Sequence, residues 1–481
     1  MSSHYPLRRI PHTFSRAPLI RSLLPLVPPI LRALLWSALS KLVPSRGPFG
    51  TTVREKARHL GDQAVEKAQD IYFRNPGLDT LTVRSLSKTG QTLARFSRLF
   101  ARLQVALHLD RGGLARDKLA LPPRPGYDSL MMASLAAGLA FGYFRSGSLS
   151  SVLWWDSADP DPKTPRRLPE GHSYPGVRRF SPPRSLREMS ADIDDLYWAD
   201  AFGQAIKVTR VGTGDKRRWL VSLPGTDHAD LESLPNPADI ESNVKEELDL
   251  NSAMREGTVQ VVRSAMAADG VPEQDMVREP VLICGHSQGG MIAAGLAELS
   301  PKEAGINVTG VVTLGSPTRR VRIREDVTMI AVEHDQDMIP SLDGAPRLEA
   351  DTRVVVKRRL TQPKRGPLFY AHSSATYTET LRLAERRQAI APWGRAAEAF
   401  KTLRSFLPLD GEETRVTHHY VWQEVREPKP GSLWKEYLNL RFPGRWQPVI
   451  FPGEPVVPAV SRRKTASPKE AEPSLSEVQD A

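Results

Sequence analysis

Apolar residues follow two different rhythms along this chain. Over residues 81–109 they recur at helical spacing, with Leu93, Phe96, Phe100, Leu103 and Leu107 on one face and Arg95, Arg98 and Arg102 on another. Residues 53–73 carry the same period, and the pattern predicts helices packed against helices. An uncharged run follows over 130–144, between Asp128 and Arg145. Its 15 residues fall short of the about 20 needed to cross a bilayer, so it reads as a buried core helix, with a short membrane segment as the alternative.

Near Asp192 the rhythm changes to alternating strand and helix. Strand signals lie at 205–211, 218–223, 281–284, 308–314, 327–332 and 352–356, with helical runs at 244–266 and 291–299. Such alternation predicts an α/β fold: a mostly parallel sheet with helices on both faces and ligands gathered at the carboxyl ends of the strands. A helix over 391–406 and a strand over 416–425 follow. The expected division is an N-terminal helical, membrane-proximal region (1–156), a Pro-, Asp- and Arg-rich linker (157–187), an α/β core (188–387), an appended helix and strand region (388–460) and a polar, disordered tail (461–481).

The chemistry concentrates where one strand meets the next helix. Val281-Leu282-Ile283-Cys284 leads into Gly285-His286-Ser287-Gln288-Gly289, and an Ala-rich helical run follows. With glycine and serine each near 7% of residues, Gly-x-Ser-x-Gly alone arises by chance in roughly one chain in six of this length, so the strand and helix around it carry the weight. At such a turn a serine hydroxyl projects from the sheet, which makes Ser287 the candidate nucleophile. A serine needs a base and the base needs a carboxylate, and both are sought downstream in the order Ser, Asp, His. After the strand at 327–332 stand Glu333, Asp335, Asp337 and Asp343; Asp337 is preferred, with Asp335 its chief rival. His372 is the preferred base because it sits in a loop after a strand and before a helix. His418 and His419 read as strand positions, and His334 shares the acid's own loop. For the oxyanion, the N–H of Gln288 is the first donor, and Thr226, in the loop Leu223-Pro224-Gly225-Thr226, is the second.

Composition adds boundaries. The 481 residues carry 66 Lys and Arg against 55 Asp and Glu, a net charge of +11. No nucleic-acid-binding motif accompanies this charge, so solvated surface is the first reading and an anionic membrane surface the second; nucleic acid is not expected. The single cysteine, Cys284, excludes an internal disulfide framework and points to a reducing, cytoplasmic compartment with membrane association left open. The apolar N-terminal run over 19–43 is broken by Arg21, Pro25, Pro28, Pro29, Arg32 and Lys41, which is unlike a signal peptide; with Trp36 it suits a membrane interface. No His-Glu-x-x-His, Cys-x-x-Cys or phosphate-loop pattern occurs, and no metal or organic cofactor is expected.

Four blocks, Val221-Ser222-Leu223-Pro224-Gly225-Thr226, Gly285-His286-Ser287-Gln288-Gly289, Thr313-Leu314-Gly315-Ser316-Pro317 and Asp337-Met338-Ile339-Pro340, resemble those of lipase-like α/β-hydrolases of the fungal-lipase (class three) type. The resemblance covers residues 218–377, under half the chain. It implies an α/β-hydrolase fold, with the Gly-Thr block supplying an oxyanion-hole residue, the serine block the nucleophile and the Asp-x-Val-Pro block the acid. Pro224 departs from the arginine more usual there, and the surroundings of His372 are less similar. The expected function is a serine ester hydrolase acting on carboxylic, lipid-like esters through an acyl-enzyme. An acyltransferase or thioesterase would use the same triad, and a non-catalytic interaction protein on the same scaffold is the third reading.

Overall fold

A strand covered on both faces is apolar at every position rather than every second one. Val281, Leu282, Ile283 and Cys284 are all fully buried, and the computed structural model places them in a central strand. The structure describes residues 78–108, 126–140, 142–161, 166, 177–197, 202–227, 232–344, 353–361, 370–390 and 392–426, with scattered positions between 28 and 73. In chain order they form α1 (Leu78–Ala106), α2 (Gly126–Ala140), β1 (Ser146–Asp156), α3 (Leu186–Leu196), β2 (Gln204–Val211), β3 (Arg218–Leu223), α4 (Ile240–Glu247) and α5 (Ala253–Ala268). There follow β4 (Pro280–His286), α6 (Gln288–Glu298), β5 (Asn307–Leu314), β6 (Thr328–His334), β7 (Arg353–Arg358), α7 (Ser374–Ile390), α8 (Arg395–Arg404) and β8 (Thr414–Val425).

The strands make one mixed sheet in the order β1-β8-β2-β3-β4-β5-β6-β7. From β3 to β7 all neighbours are parallel, as the alternation predicts. The other end is antiparallel: β2 pairs with β3 and β8, and β8 with β1. The reason at β2–β3 is the connection, residues 212–217, which is too short for the crossover that a parallel pair requires. Strands β1 and β8 also correct the expected division. Residues 146–156 are an edge strand rather than the end of a helical region, and 414–425 lie inside the sheet rather than in an appendage. Boundaries at 156 and 387 therefore cut through one sheet.

Successive side chains of β4 feed two cores. Val281 and Ile283 pack with Met254, Val262 and Ile292 from α5 and α6 on one face; Leu282 and Cys284 pack with Met189, Tyr377 and Phe400 from α3, α7 and α8 on the other. Burial raises the Cys284 thiol well above its usual range and keeps it a small apolar filler. The helix expected over 244–266 is broken in two. Asp249 takes a left-handed φ of 55°, and the Ser252 hydroxyl caps α5 by accepting the Arg255 N–H.

Residues 130–140 of the uncharged run lie in α2, whose Leu135 and Leu139 are fully buried in a cluster with Val244 and Leu248. Among the described residues no helix is long and apolar enough to cross a membrane. The described positions within 53–73 are helical. The tail over 461–481, nearly all of the run over 19–43 and, in the linker, residues 162–165 and 167–176 lie outside the described residues.

Candidate active site

Parallel strands deliver their following loops to one edge of a sheet, and the candidate residues sit in such loops. Thr226 follows β3, Ser287 follows β4, Asp337 follows β6, and His372 stands in the turn Tyr370–His372 between β7 and α7. Ser287 adopts φ 52° and ψ −118°, a region that costs a non-glycine residue about 1–3 kcal/mol unless its surroundings impose it. Its N–H donates to the Leu314 carbonyl at 2.9 Å, which ties the bend to β5. The bend also lies hard against the loop after β3. A Cβ on Gly289 would meet the Leu223 carbonyl oxygen at 2.4 Å, and one on Gly225 would meet the Ser287 Cβ at 2.6 Å.

Three side chains form a hydrogen-bonded row. Ser287 Oγ lies 3.0 Å from His372 Nε2, and His372 Nδ1 lies 2.7 Å from Asp337 Oδ2. The carboxylate accepts from Nδ1–H, which leaves Nε2 to accept the serine proton; this tautomer is assigned from the network. The Asp337 side chain is 1% exposed and that of His372 16%, so the carboxylate is dry while the imidazole reaches the surface. Asp337 is held from both sides: Oδ1 accepts the Ile339 N–H at 3.0 Å, and Oδ2 accepts the Tyr377 hydroxyl at 2.7 Å. Burial raises the Tyr377 phenol well above its usual range and keeps it a donor.

Two buried imidazoles clamp the turn that carries His372. His286 Nε2–H donates to the His372 carbonyl at 2.8 Å, and His334 Nδ1–H donates to the Ala371 carbonyl at 2.6 Å. Burial pushes His286 well below the usual histidine range, with neighbouring His372 adding to the effect; burial also brings His334 down to about 4. Both rings are neutral at pH 7, as single-proton donors and acceptors in these positions must be. The second nitrogen of His286, Nδ1, accepts from the Tyr197 hydroxyl at 2.5 Å, and Tyr197 in turn accepts the Gly225 N–H at 2.7 Å. One continuous path thus joins the loop after β3, the strand that leads into Ser287 and the turn of His372.

The remaining candidates are accounted for. Asp335 is partly exposed and its N–H donates to the Arg358 carbonyl; Glu333 pairs with Arg319 at 3.3 Å; Asp343 accepts the Arg319 N–H at 2.6 Å. His418 and His419 are buried on β8, three strands from β4. On the oxyanion side, the Thr226 hydroxyl accepts from Asn243 Nδ2 at 2.8 Å, and Asn243 Oδ1 accepts from Gln288 Nε2 at 2.9 Å. These side chains fix the two loops relative to each other. Among the described residues neither the Thr226 N–H nor the Gln288 N–H donates to a protein acceptor. No group of three or more His, Cys, Asp or Glu able to hold a metal occurs among the described residues.

Sequence reasoning missed Tyr197, Asn243 and the supporting roles of His286, His334 and Tyr377. His286 stood inside the serine motif and Tyr377 five residues past His372, within reach of a search for partners; Tyr197 and Asn243 carry no motif at all. No protein-family model, no curated protein and no solved structure matches this chain.

Proposed function

We propose that this chain is a serine hydrolase of the α/β-hydrolase type that cleaves carboxylic, lipid-like esters. The observation that carries the reading is the row Ser287–His372–Asp337, at 3.0 and 2.7 Å, with the serine on a strained bend between β4 and α6. His372 Nε2 takes the Ser287 proton as Oγ bonds to the acyl carbon, and the carbonyl oxygen becomes an oxyanion. The N–H groups of Gln288 and Thr226 are its proposed donors, each worth about 3–4 kcal/mol of barrier. As the tetrahedral centre collapses, the ester C–O bond breaks and the leaving alkoxide takes the proton from His372. Water then gives its proton to His372, attacks the acyl-enzyme and releases the acid, restoring Ser287. The lipase-like blocks around Thr226, Ser287 and Asp337 support the lipid-like choice of ester.

A fluorophosphonate probe tests this directly. It should label the folded chain once, with the adduct mass on the peptide that contains Ser287, and ester hydrolysis should rise along a series of longer acyl chains. A folded chain that takes no label, or takes it elsewhere, overturns the reading.

Tyr197 should act as a positioning residue. Tyr197→Phe strands the buried Gly225 N–H and His286 Nδ1, which costs about 1–3 kcal/mol of stability. With the loop after β3 released, kcat should fall about 10- to 100-fold while KM changes little. A structural role alone would lower the melting temperature and leave kcat unchanged.

A further inference from the structure

Burial on α1 is inverted. The helix turns its small residues, Gly90, Ala94 and Ala101, inward where it packs on α2. Its large apolar residues Leu93, Phe96, Leu99, Phe100 and Leu103, with Leu107 just past its end, are 42 to 65% exposed. At 3.6 residues per turn these six fall within an arc of about 120°. The expected helix-on-helix packing is therefore made by the small residues, and the apolar stripe faces outward. Isolated exposed apolar side chains are ordinary, but six in one stripe mark an interaction face.

Charge decides what covers it. Lys88, Arg95 and Arg102 are exposed beside the stripe and Arg98 is half-buried, whereas no Asp or Glu occurs between Asp79 and Asp110. A second copy of the chain would bring the same arginines against themselves. It would also draw on far fewer residues than the about 20–30 per side of a stable interface. The first 53 residues hold seven Lys and Arg and no acid, so they too are repelled by this helix. An apolar stripe flanked by cations matches a helix lying in the headgroup layer of an anionic bilayer.

Position agrees with charge. The Ser87 hydroxyl on α1 donates to the Gly344 carbonyl at 2.7 Å, and α1 packs on the turn Ile339–Ser341 that follows Asp337. Upstream, Phe73 stacks on Tyr370, in the same turn as His372, with ring centroids 6.3 Å apart. The helix is thus joined to the loop that follows Asp337, and the chain just before it to the turn that carries His372.

We infer that α1 docks this chain on an anionic lipid surface and holds the Ser287 loop edge beside it. The docking goes beyond the hydrolase reading and does not depend on it. The full chain should float with phosphatidylcholine vesicles that contain one-third phosphatidylserine, and not with pure phosphatidylcholine. The triple variant Arg95→Gln, Arg98→Gln, Arg102→Gln should bind on the order of a hundredfold more weakly, about fivefold per charge. Phe96→Ser with Phe100→Ser should weaken binding about tenfold or more by removing apolar insertion. Ser287→Ala should bind as the wild type does, so a chain that docks without hydrolysing esters would separate the two readings. Unchanged far-ultraviolet circular dichroism and unchanged turnover of a water-soluble short-chain ester are expected for the α1 variants. The inference is overturned if the wild type does not float with anionic vesicles, or if both sets of variants float as well as it does. It is equally overturned by a solution dimer that the phenylalanine changes dissociate while vesicles bind nothing.

Discussion

Ser287→Ala is expected to lower kcat for ester hydrolysis about 10⁶-fold, the scale of loss when a serine nucleophile is removed. The hydroxyl hydrogen-bonds His372 at 3.0 Å, whereas the backbone is held by the Ser287 N–H to Leu314 bond. The fold should therefore survive the change, and circular dichroism should superpose on the wild type. His372→Ala should cost about as much, because a hydroxyl with no base is as inert as a base with no hydroxyl. Combining the two should add little, since residues that act as one unit are strongly non-additive. What remains should still exceed the uncatalysed rate by about 10³–10⁴, supplied by binding and the N–H donors. Single-turnover hydrolysis of an activated ester reads all three variants. Retention of more than about one-hundredth of the wild-type rate by Ser287→Ala would mean that another group does the chemistry.

How legible such a site is depends on how local its causes are. The serine bend was readable because its requirements are sequential: a buried strand, small residues around one serine, then a helix, all between 281 and 299. Asp337 and His372 were readable as an order along the chain, and the choice among four acids and several histidines rested on which loops follow strands. The supporting shell was not, because its causes are spatial. Nothing near Tyr197 says that it will meet His286, 89 residues away, and His334 gave no sign of holding the carbonyl of Ala371. The fold divides in the same way. Strands β3 to β7 announce themselves by continuous apolar runs, but β1 hides behind serines at 146–151, and the place of β8 between β1 and β2 is a long-range pairing that no local period encodes. On α1 the helix and its packing on another helix were readable, but the face that packs was not: a helical repeat of Leu and Phe shows where the apolar face is, not what faces it.

The surroundings of Asp337 make a sharper test than the loss of the nucleophile, because they predict how an isosteric change fails. Oδ2 accepts from His372 Nδ1–H and from the Tyr377 hydroxyl, and Oδ1 accepts from the Ile339 N–H, so all three neighbours are donors. In Asp337→Asn one oxygen becomes an NH₂ group. If the NH₂ faces Ile339, two donors oppose each other in a site 1% exposed, where an unmade bond costs about 1–3 kcal/mol. If it faces His372, it donates to Nδ1, the imidazole proton moves to Nε2, and the ring presents a donor to Ser287 instead of an acceptor. Two donors at Oδ2 against one at Oδ1 favour keeping the oxygen toward His372, but the negative charge that stabilises the imidazolium is gone in either arrangement. A loss of about 10⁴-fold in kcat is expected, as for the same substitution in other serine triads. Tyr377→Phe should cost far less, since it removes one donor and leaves the charge and tautomer in place. Should Asp337→Asn hydrolyse esters within about tenfold of the wild type, the carboxylate's assigned role in holding and charging His372 fails, whatever Ser287→Ala has shown.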